Sequence, residues 1–363
     1  MRVLVVNTGS SSVKLRLLDG TELADSTDLG PPSTLDSGAV AEAVGTLAGQ
    51  SGVDCVGHRV VHGGPSFTSA VVVDDRVRDE LESVVDLAPL HLPASLAALD
   101  AVRSALPSVP SVACFDTAFH ATIPAEAATY ALPEQWRDLG VRRYGFHGLS
   151  HAYAARRAAE ILARPVDGLR LVSCHIGAGA SLCAVHSGRS VDTTMGFTPL
   201  EGLVMATRSG SVDPGLVLWL QQQRGLSADD VFDGLESRSG LLGLAGTADM
   251  REVLARMETG DDTAKLAFDV YVYRVRTSIA AMAAAMSGVD AVSFTGGVGE
   301  QSAAVREGSV AGLEYLGIAV NPGQNEAARG DANVSAPGAP AGVAVVTARE
   351  DLEIVSQVEA LLG

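Results

Sequence analysis

Lys14 is one of only two lysines in a chain whose 26 basic residues are otherwise arginines, and it closes a turn suited to anions. The apolar run Val3-Leu4-Val5-Val6 stops at Asn7. Thr8-Gly9-Ser10-Ser11-Ser12 follows, and residues 13–18 read as a second strand. Small and hydroxylated residues leave backbone N–H groups uncovered, and a single cation completes what phosphoryl oxygens require. The plan recurs. Residues 169–174 form an apolar strand with His175 at its end, then the turn Gly177-Ala178-Gly179-Ala180-Ser181, a second strand, and Gly188 where Gly20 stood before. An ordinary β-hairpin explains one such turn. Its recurrence points to a duplicated α/β domain that clamps phosphates between its halves. The ends echo each other too: strand 109–115 runs into Asp116-Thr117, and strand 289–294 runs into Thr295-Gly296-Gly297-Val298-Gly299-Glu300.

Other polar residues sit where chemistry is done. Gly57-His58-Arg59-Val60-Val61-His62-Gly63-Gly64 puts an arginine at a strand tip beside a flexible turn, placed to fork onto a carboxylate or phosphate. A surface arginine in a loop is the plainer alternative. Gly145-Phe146-His147-Gly148 sets a histidine between glycines. Residues 195–214 form a long turn-rich segment with one arginine, Arg208, ahead of a small-residue turn and a helix; such stretches are usually functional. Asp116 and Glu350 each follow a strand, where carboxylates hold Mg²⁺ through water in phosphoryl-transfer sites. From its residue type alone Glu350 reads better as a helix cap or solvated acid, and Asp351 beside it competes for the role. His58, His62, His120 and His151 read as structural hydrogen-bonders, and His186 has no support beyond its type.

These residues need a frame. Strands are expected at 2–6, 13–18, 53–61, 111–115, 169–174, 180–186, 290–294 and 343–347. Helices are expected at 38–48, 75–84, 94–105, 148–162, 214–223, 263–286 and 351–361. Strands mixed with helices, and a hairpin opening each half, indicate α/β with mixed sheets. The last helix follows a strand of the second half and is able to return to the first domain. At 363 residues the chain suits two domains, and 47% hydrophobic residues supply their cores. A net charge of −17 argues against nucleic acid or an anionic membrane surface as partner. Any anion site must therefore be built locally from arginine and backbone donors. We expect no leader peptide and no membrane span; the short run at 279–286 reads as a buried or interface helix. Cys55, Cys114, Cys174 and Cys183 lie in apolar strands without metal-like spacing, and read as packed free thiols in a reducing cytosol. Residues 30–37 and 332–342 read as surface loops.

Residues 3–14 resemble the N-terminal signature of the acetate kinase family, the kinases that form acyl phosphates from acetate and propionate. Val56-Gly-His-Arg-Val-Val-His-Gly-Gly64 resembles its second signature. Phe115-Asp-Thr-Ala-Phe-His120, Tyr144-Gly-Phe-His-Gly148, Met195-Gly-Phe-Thr-Pro-Leu-Glu-Gly202 and Thr207-Arg208-Ser-Gly210 continue the match in family order over essentially the whole chain. The resemblance implies a duplicated ribonuclease-H-like fold of the actin and sugar-kinase type, with two domains around a central cleft. The division it suggests is 1–118 plus 353–363 on the acyl side, and 119–352 for nucleotide binding and dimerisation.

The resemblance also implies roles. Asn7 contacts the transferring phosphoryl group. Arg59 and Arg208 bind the acetate carboxylate and neutralise charge, and His147 hydrogen-bonds phosphoryl oxygens. Asp116, Glu350 and Asn7 serve Mg²⁺, with Mn²⁺ as a substitute. Val61, Leu90, Phe146 and Pro199 line a pocket for the acyl methyl. Lys14, His175, Gly177 and Gly179 lie along the ATP phosphates; Asp249, Met250, Arg251, Gly297, Val298 and Gln301 surround the nucleoside. The family usually carries Asn at Ala178, Phe at Met250 and Asn at Gln301. The implied reaction is direct in-line transfer from ATP to acetate, giving acetyl phosphate and ADP, in a cytoplasmic homodimer. A propionate or butyrate kinase, or a pyrophosphate-using relative, keeps the fold with another partner. A non-catalytic actin-like nucleotide-binding protein would have no need of two arginines facing a phosphate turn.

Overall fold

The computed structural model describes residues 1–9, 12–31 and 37–363, the side chains of Ser37, Gln50 and Ser51 excepted. Ser10 and Ser11 of the first turn, and most of the expected 30–37 loop, lie outside the described residues. The chain divides into two compact units. Unit 1 is Met1–Ala121, Phe146–Tyr153 and Arg349–Gly363; unit 2 is Thr122–Gly145 and Ala154–Ala348.

The sheet of unit 1 contains β1 (Arg2–Thr8), β2 (Val13–Asp19), β3 (Glu22–Asp28), β4 (Cys55–Val60), β5 (Val71–Val72) and β6 (Ser111–Phe115) in the order β3-β2-β1-β4-β6-β5. β1, β2 and β3 form an antiparallel meander, while β4 is parallel to β1 and β6 is parallel to β4. Side chains alternate across a strand, so β1 serves two cores. Leu4 and Val6 pack with Val40, Val44, Leu47 and Val102 from the helices Ser37–Ser51 and Leu92–Ala105. Val3 and Val5 face the other way, onto Leu149 and onto Ile354, Val355 and Val358 of the helix Glu350–Leu362. The continuous apolar run at 3–6 thus reflects a strand buried on both faces. The last helix belongs to the first sheet, as its position in the sequence allowed.

Unit 2 repeats the pattern with β7 (Arg170–Ile176), β8 (Ala180–His186), β9 (Arg189–Thr193), β10 (Ala291–Thr295), β11 (Ala332–Asn333) and β12 (Gly342–Val345), ordered β11-β12-β10-β7-β8-β9. β7, β8 and β9 form the meander; β10 lies parallel to β7 and β12 parallel to β10. Even the irregularities match. The ladder slips between Leu17 and Leu18 in one sheet and between Ala184 and Val185 in the other, at the same place along β2 and β8. Gly20 and Gly188, both in the left-handed region at φ 59° and 75°, turn the corresponding second hairpins. This is the duplicated ribonuclease-H-like arrangement.

The topology corrects one equivalence. The sequence paired strand 109–115 with 289–294. In the sheets β10 corresponds to β4, each lying beside the first strand of its unit, and β6 corresponds to β12. Apolar content cannot separate two parallel strands that are buried alike. β3 and β9 were missed because their sequences, ELADSTD and RSVDT, are polar edge strands. The residues after Thr295 form a helix, Gly296–Gln301, although three of its six residues are glycine. The run at 279–286 lies in or directly after the helix Asp262–Ala285, which buries Ile279, Met282 and Ala283. All four cysteines are buried free thiols, and no helix among the described residues is long and apolar enough to cross a membrane.

Gly57 marks where the last helix presses closest. A Cβ there would lie 2.4 Å from Cγ2 of Ile354 and 3.2 Å from Cγ2 of Val358. Ile354 is β-branched and stiff, so the helix must move instead. Gly57→Ala is expected to cost about 1–3 kcal/mol by overpacking. The loss should shrink in an Ile354→Ala background, which urea denaturation of the two single variants and the double variant would measure. Additive losses would contradict this packing.

Candidate active site

The carboxyl ends of three neighbouring parallel strands bring three of the expected residues into one row. Asn7 is next to last in β1 and pairs in register with Arg59 of β4, while Asp116 directly follows β6. Their side chains close on each other. Arg59 Nε donates to Asp116 Oδ1 at 3.0 Å and Nη2 donates to Oδ2 at 2.6 Å, while Nη1 donates to Asn7 Oδ1 at 3.1 Å. Asn7 Nδ2 in turn donates to Glu350 Oε2 at 2.8 Å, and that oxygen lies 3.7 Å from Arg59 Nε. Glu350 is therefore neither a plain cap nor a solvated acid; it opens the last helix and reaches back to the tip of β1.

Burial sets the electrostatics. The Asp116 side chain is 1% exposed and that of Arg59 13%. Burial by itself would depress the guanidinium, but Asp116 and Glu350 outweigh it and hold Arg59 above its ordinary value, firmly charged. Burial pushes the Asp116 carboxyl up; Arg59 opposes that push, Glu350 adds to it, and the backbone N–H of His147 opposes it. Two carboxylates thus share one arginine, and a further cation at their oxygens would relieve the remaining repulsion. Asp116, Glu350 and the Asn7 amide are hard oxygen donors of the kind Mg²⁺ takes. Among the described residues no group of three or more His, Cys, Asp or Glu could hold a metal. A cation here would therefore need waters or phosphate oxygens to complete its shell, which is how Mg²⁺ is usually held.

His147 joins this group through its backbone. It adopts φ 58° at the start of the helix Gly148–Ile161, whose first N–H donates to the Asp116 carbonyl at 2.8 Å. Phe146 is buried and His147 half-buried. Val61 is buried just beyond β4, whereas Leu90 is 57% exposed. Lys14 is exposed and stands opposite Asn7 in the β1–β2 ladder.

Unit 2 carries the rest. His175 is next to last in β7 and in register with Thr295 of β10, the pairing that Asn7 and Arg59 make in unit 1. Gly177 N–H donates to Gly179 O at 2.9 Å, closing the turn, and the Ala178 carbonyl accepts from Ala206 N–H at 3.1 Å. His175 Nε2 and Gly297 N both lie within 4 Å of the space a side chain on Gly177 would fill, so these three come together. Gly297, Val298 and Gln301 sit on the helix Gly296–Gln301. Asp249 caps the helix Met250–Glu258; its carboxylate is clasped by Arg251, and Met250 is buried. Pro199 is half-buried in a loop whose base is fastened by side chains. Arg143 donates to the carbonyls of Thr194 and Met195 and to Glu201, and Tyr130 OH donates to Glu201 while accepting from Phe197 N–H. Arg208 pairs with Glu236.

Sequence reasoning missed Glu236, Glu201, Arg143 and Arg306. The last is 1% exposed and donates to the carbonyls of Gly299, Glu300 and Asn325 and to the Asn325 amide oxygen. Glu236, Glu201 and Arg143 each act on a segment distant in sequence, and Arg306 ties the helix just before it to Asn325; no spacing rule could have found them.

The profile of the Acetokinase family matches residues 36–356. An acetate kinase of Streptomyces coelicolor is 44% identical, over 100% of this chain and 97% of its own length. The crystal structure of a Porphyromonas gingivalis acetate kinase superposes with a TM-score of 0.92 at 37% identity, covering 100% of both chains. That of a propionate kinase from Francisella tularensis gives 0.90 at 32% identity and 98% of both.

Three buried histidines beneath the site are held neutral. Burial lowers His62 and His120 to about 4 and His58 to about 3; Arg103 adds to the shift of His58 and Asp100 opposes it. The bonding agrees for His62, whose Nδ1 accepts from Gly64 N–H at 2.8 Å. In the unfolded chain these rings protonate near pH 6.5. Their contribution to stability is therefore complete above that pH and is lost as pH falls toward 4, because the unfolded chain then binds the extra protons. Each adds a slope of up to about 1.4 kcal/mol per pH unit in that window. Urea midpoints between pH 7 and 4.5 should fall accordingly, and His120→Gln should remove about one proton from the slope. A midpoint independent of pH would contradict neutral burial.

Proposed function

Because this chain belongs to the acetokinase family, we propose that it moves the γ-phosphoryl group of ATP onto acetate, giving acetyl phosphate and ADP, with the reverse reaction by the same path. It is a phosphotransferase with a carboxyl group as acceptor. The observation that carries the reading is the group of Asn7, Arg59, Asp116 and Glu350 at the carboxyl ends of β1, β4 and β6. Ligands of open α/β sheets bind outside such strand ends.

Acetate is already ionised near neutral pH, so no general base is required. A carboxylate oxygen attacks the γ-phosphorus, the bond to the β–γ bridging oxygen breaks, and ADP leaves with that electron pair. Two anions must approach each other, so positioning and charge neutralisation are most of the catalysis. Arg59 and Arg208 supply the positive charge, and Asn7 and His147 donate to phosphoryl oxygens. Asp116, Glu350 and Asn7 would hold Mg²⁺. A cation held there would supply positive charge to offset that of the phosphate oxygens. The acyl group is assigned to Val61, Leu90 and Phe146 of unit 1 and to Pro199 of unit 2. Lys14, His175, Gly177 and Gly179 follow the phosphates; Asp249, Met250, Arg251, Gly297, Val298 and Gln301 take the nucleoside. The match to a propionate kinase keeps propionate as a second acceptor, since one methylene offers only about 1–3 kcal/mol of discrimination. Buried free thiols suit the cytoplasm. A homodimer is supported by the helices Pro214–Arg224 and Ala228–Ser237, which expose Leu216, Leu218, Trp219 and Phe232.

Acetyl phosphate formed from ATP and acetate should be trapped by hydroxylamine as the hydroxamate; acetate should exceed propionate, and propionate exceed butyrate, in kcat/KM. Arg59→Ala should lose roughly 10³–10⁵ in rate. It should also cost about 3–5 kcal/mol of stability, because it strands the buried Asp116 carboxylate. Arg59→Lys separates the two effects: it keeps the charge, loses the fork, and should remain stable yet slow. Parent-like rates in both variants would refute the assignment. Trp219→Glu should shift the mass measured by light scattering from dimer to monomer; an unchanged mass would remove this face from the interface.

A further inference from the structure

The two arginines of the proposed site are held in different ways. Arg59 spends its whole guanidinium on unit 1: Nε and Nη2 on Asp116, and Nη1 on Asn7. Arg208 engages a carboxylate through Nε alone, donating to Glu236 Oε1. Among the described residues its Nη1 meets only the sulfur of Met205, at 3.9 Å, a weak acceptor. The Arg208–Glu236 pair is nearly dry, with side chains 17% and 11% exposed.

The backbone explains why Glu236 is there. Ser209 N–H donates to Leu235 O at 2.9 Å, Thr207 Oγ1 to Glu236 O at 3.0 Å, and Ser239 N–H to Thr207 O at 2.8 Å. These bonds fasten the turn 207–209 to the end of the helix Ala228–Ser237. Met205 N–H closes the turn on Arg208 O at 3.1 Å. With its backbone fixed, Arg208 still has a long flexible side chain. The Glu236 carboxylate at Nε removes that freedom, leaving the Nη1/Nη2 edge as the part able to take an anion.

We infer that Glu236 is a positioning residue for Arg208, which it grips from the Nε side so that the guanidinium offers its open edge to a carboxylate or phosphoryl group. The inference rests on the reading of Arg208 as a residue that meets the reacting anions. Glu236 acts through Arg208 and does not itself touch substrate. Its carboxylate also keeps a nearly dry guanidinium paired when no substrate is bound, so loss of the pair leaves the arginine free to swing.

The test is a double-mutant cycle on kcat/KM for acetate with ATP saturating. Glu236→Gln keeps the size and removes the charge; Glu236→Asp keeps the charge and shortens the reach. Each is expected to lose about 10²-fold, the scale of a misplacement near 1 Å. The loss should appear with acetate varied, while the KM for ATP stays within about twofold of the parent. In an Arg208→Ala background the same changes should have no further effect, since the group they position is gone. Should Glu236→Gln melt early, the Asp variant, which keeps a carboxylate in the nearly dry pocket, gives the same cycle. Parent-like activity in Arg208→Ala would sink the catalytic reading of Arg208. A crippled Arg208→Ala beside parent-like Glu236 variants, or losses that multiply in the double variants, would sink the positioning role alone.

Discussion

An arginine that is almost out of water needs a fixed counter-charge, and much of unit 1 is arranged around meeting that demand at Arg59. Asp116 can meet it only because β4 and β6 are adjacent, parallel and in a register that ends them together. Asn7 joins only because β1 lies on the other side of β4. Glu350 arrives from the far end of the sequence, on a helix whose apolar face covers the same sheet. A buried pair of this kind contributes little net stability after desolvation, and leaving one partner alone is costly. Its value lies in geometry: four side chains from four segments are held in one arrangement before any substrate arrives.

The duplication shows what was kept and what diverged. Both units retain the meander, the parallel extension, the slip in the second strand and the glycine after it. The strand tips differ. Where unit 1 has Asn7 and Arg59, unit 2 has His175 and Thr295, followed by Gly296 and Gly297. One frame presents charge and the other presents small residues and backbone N–H groups. A phosphoryl-transfer enzyme needs both, one to neutralise and one to cradle. Arg306 supports the second: four bonds to backbone and amide oxygens secure the glycine-rich helix whose own propensity is poor.

The fold was legible where burial is periodic or continuous. β1, β4, β6, β7, β8, β10 and β12 were read from apolar runs, and most long helices from spacing and caps. β3 and β9 were not, because a hairpin edge strand needs no apolar sequence when its neighbour supplies the ladder. Asn7 and Asp116 stood out because each ends an apolar run abruptly, and Arg59 because it stands near a strand tip beside a glycine turn. Glu350 could not be told from Asp351 by type; only the reach of its side chain to Asn7 separates them, since Asp351 turns to Arg349. Glu236 and Arg143 carry no local signal at all, and Glu201 carries none beyond its place in the 195–202 motif. A residue whose work is to hold another is defined by a contact, and contacts between segments far apart in sequence are what one chain read alone gives least.

The first sheet is also last in time. Its strands β1 to β6 leave the ribosome early, yet the helix that covers Val3, Val5, Cys55 and Val112 begins only at Glu350. At about 5–20 residues per second, roughly 10–50 s of synthesis separate β6 from that helix. Unit 2 ends at Ala348 and is available in full before the helix emerges. During that interval one face of the early sheet lacks Ile354, Val355 and Val358, and Arg59 and Asp116 lack Glu350. Nascent chains of this protein should therefore engage chaperones through the face around Gly57. The same arrangement keeps the charged site from being completed until synthesis has passed Glu350.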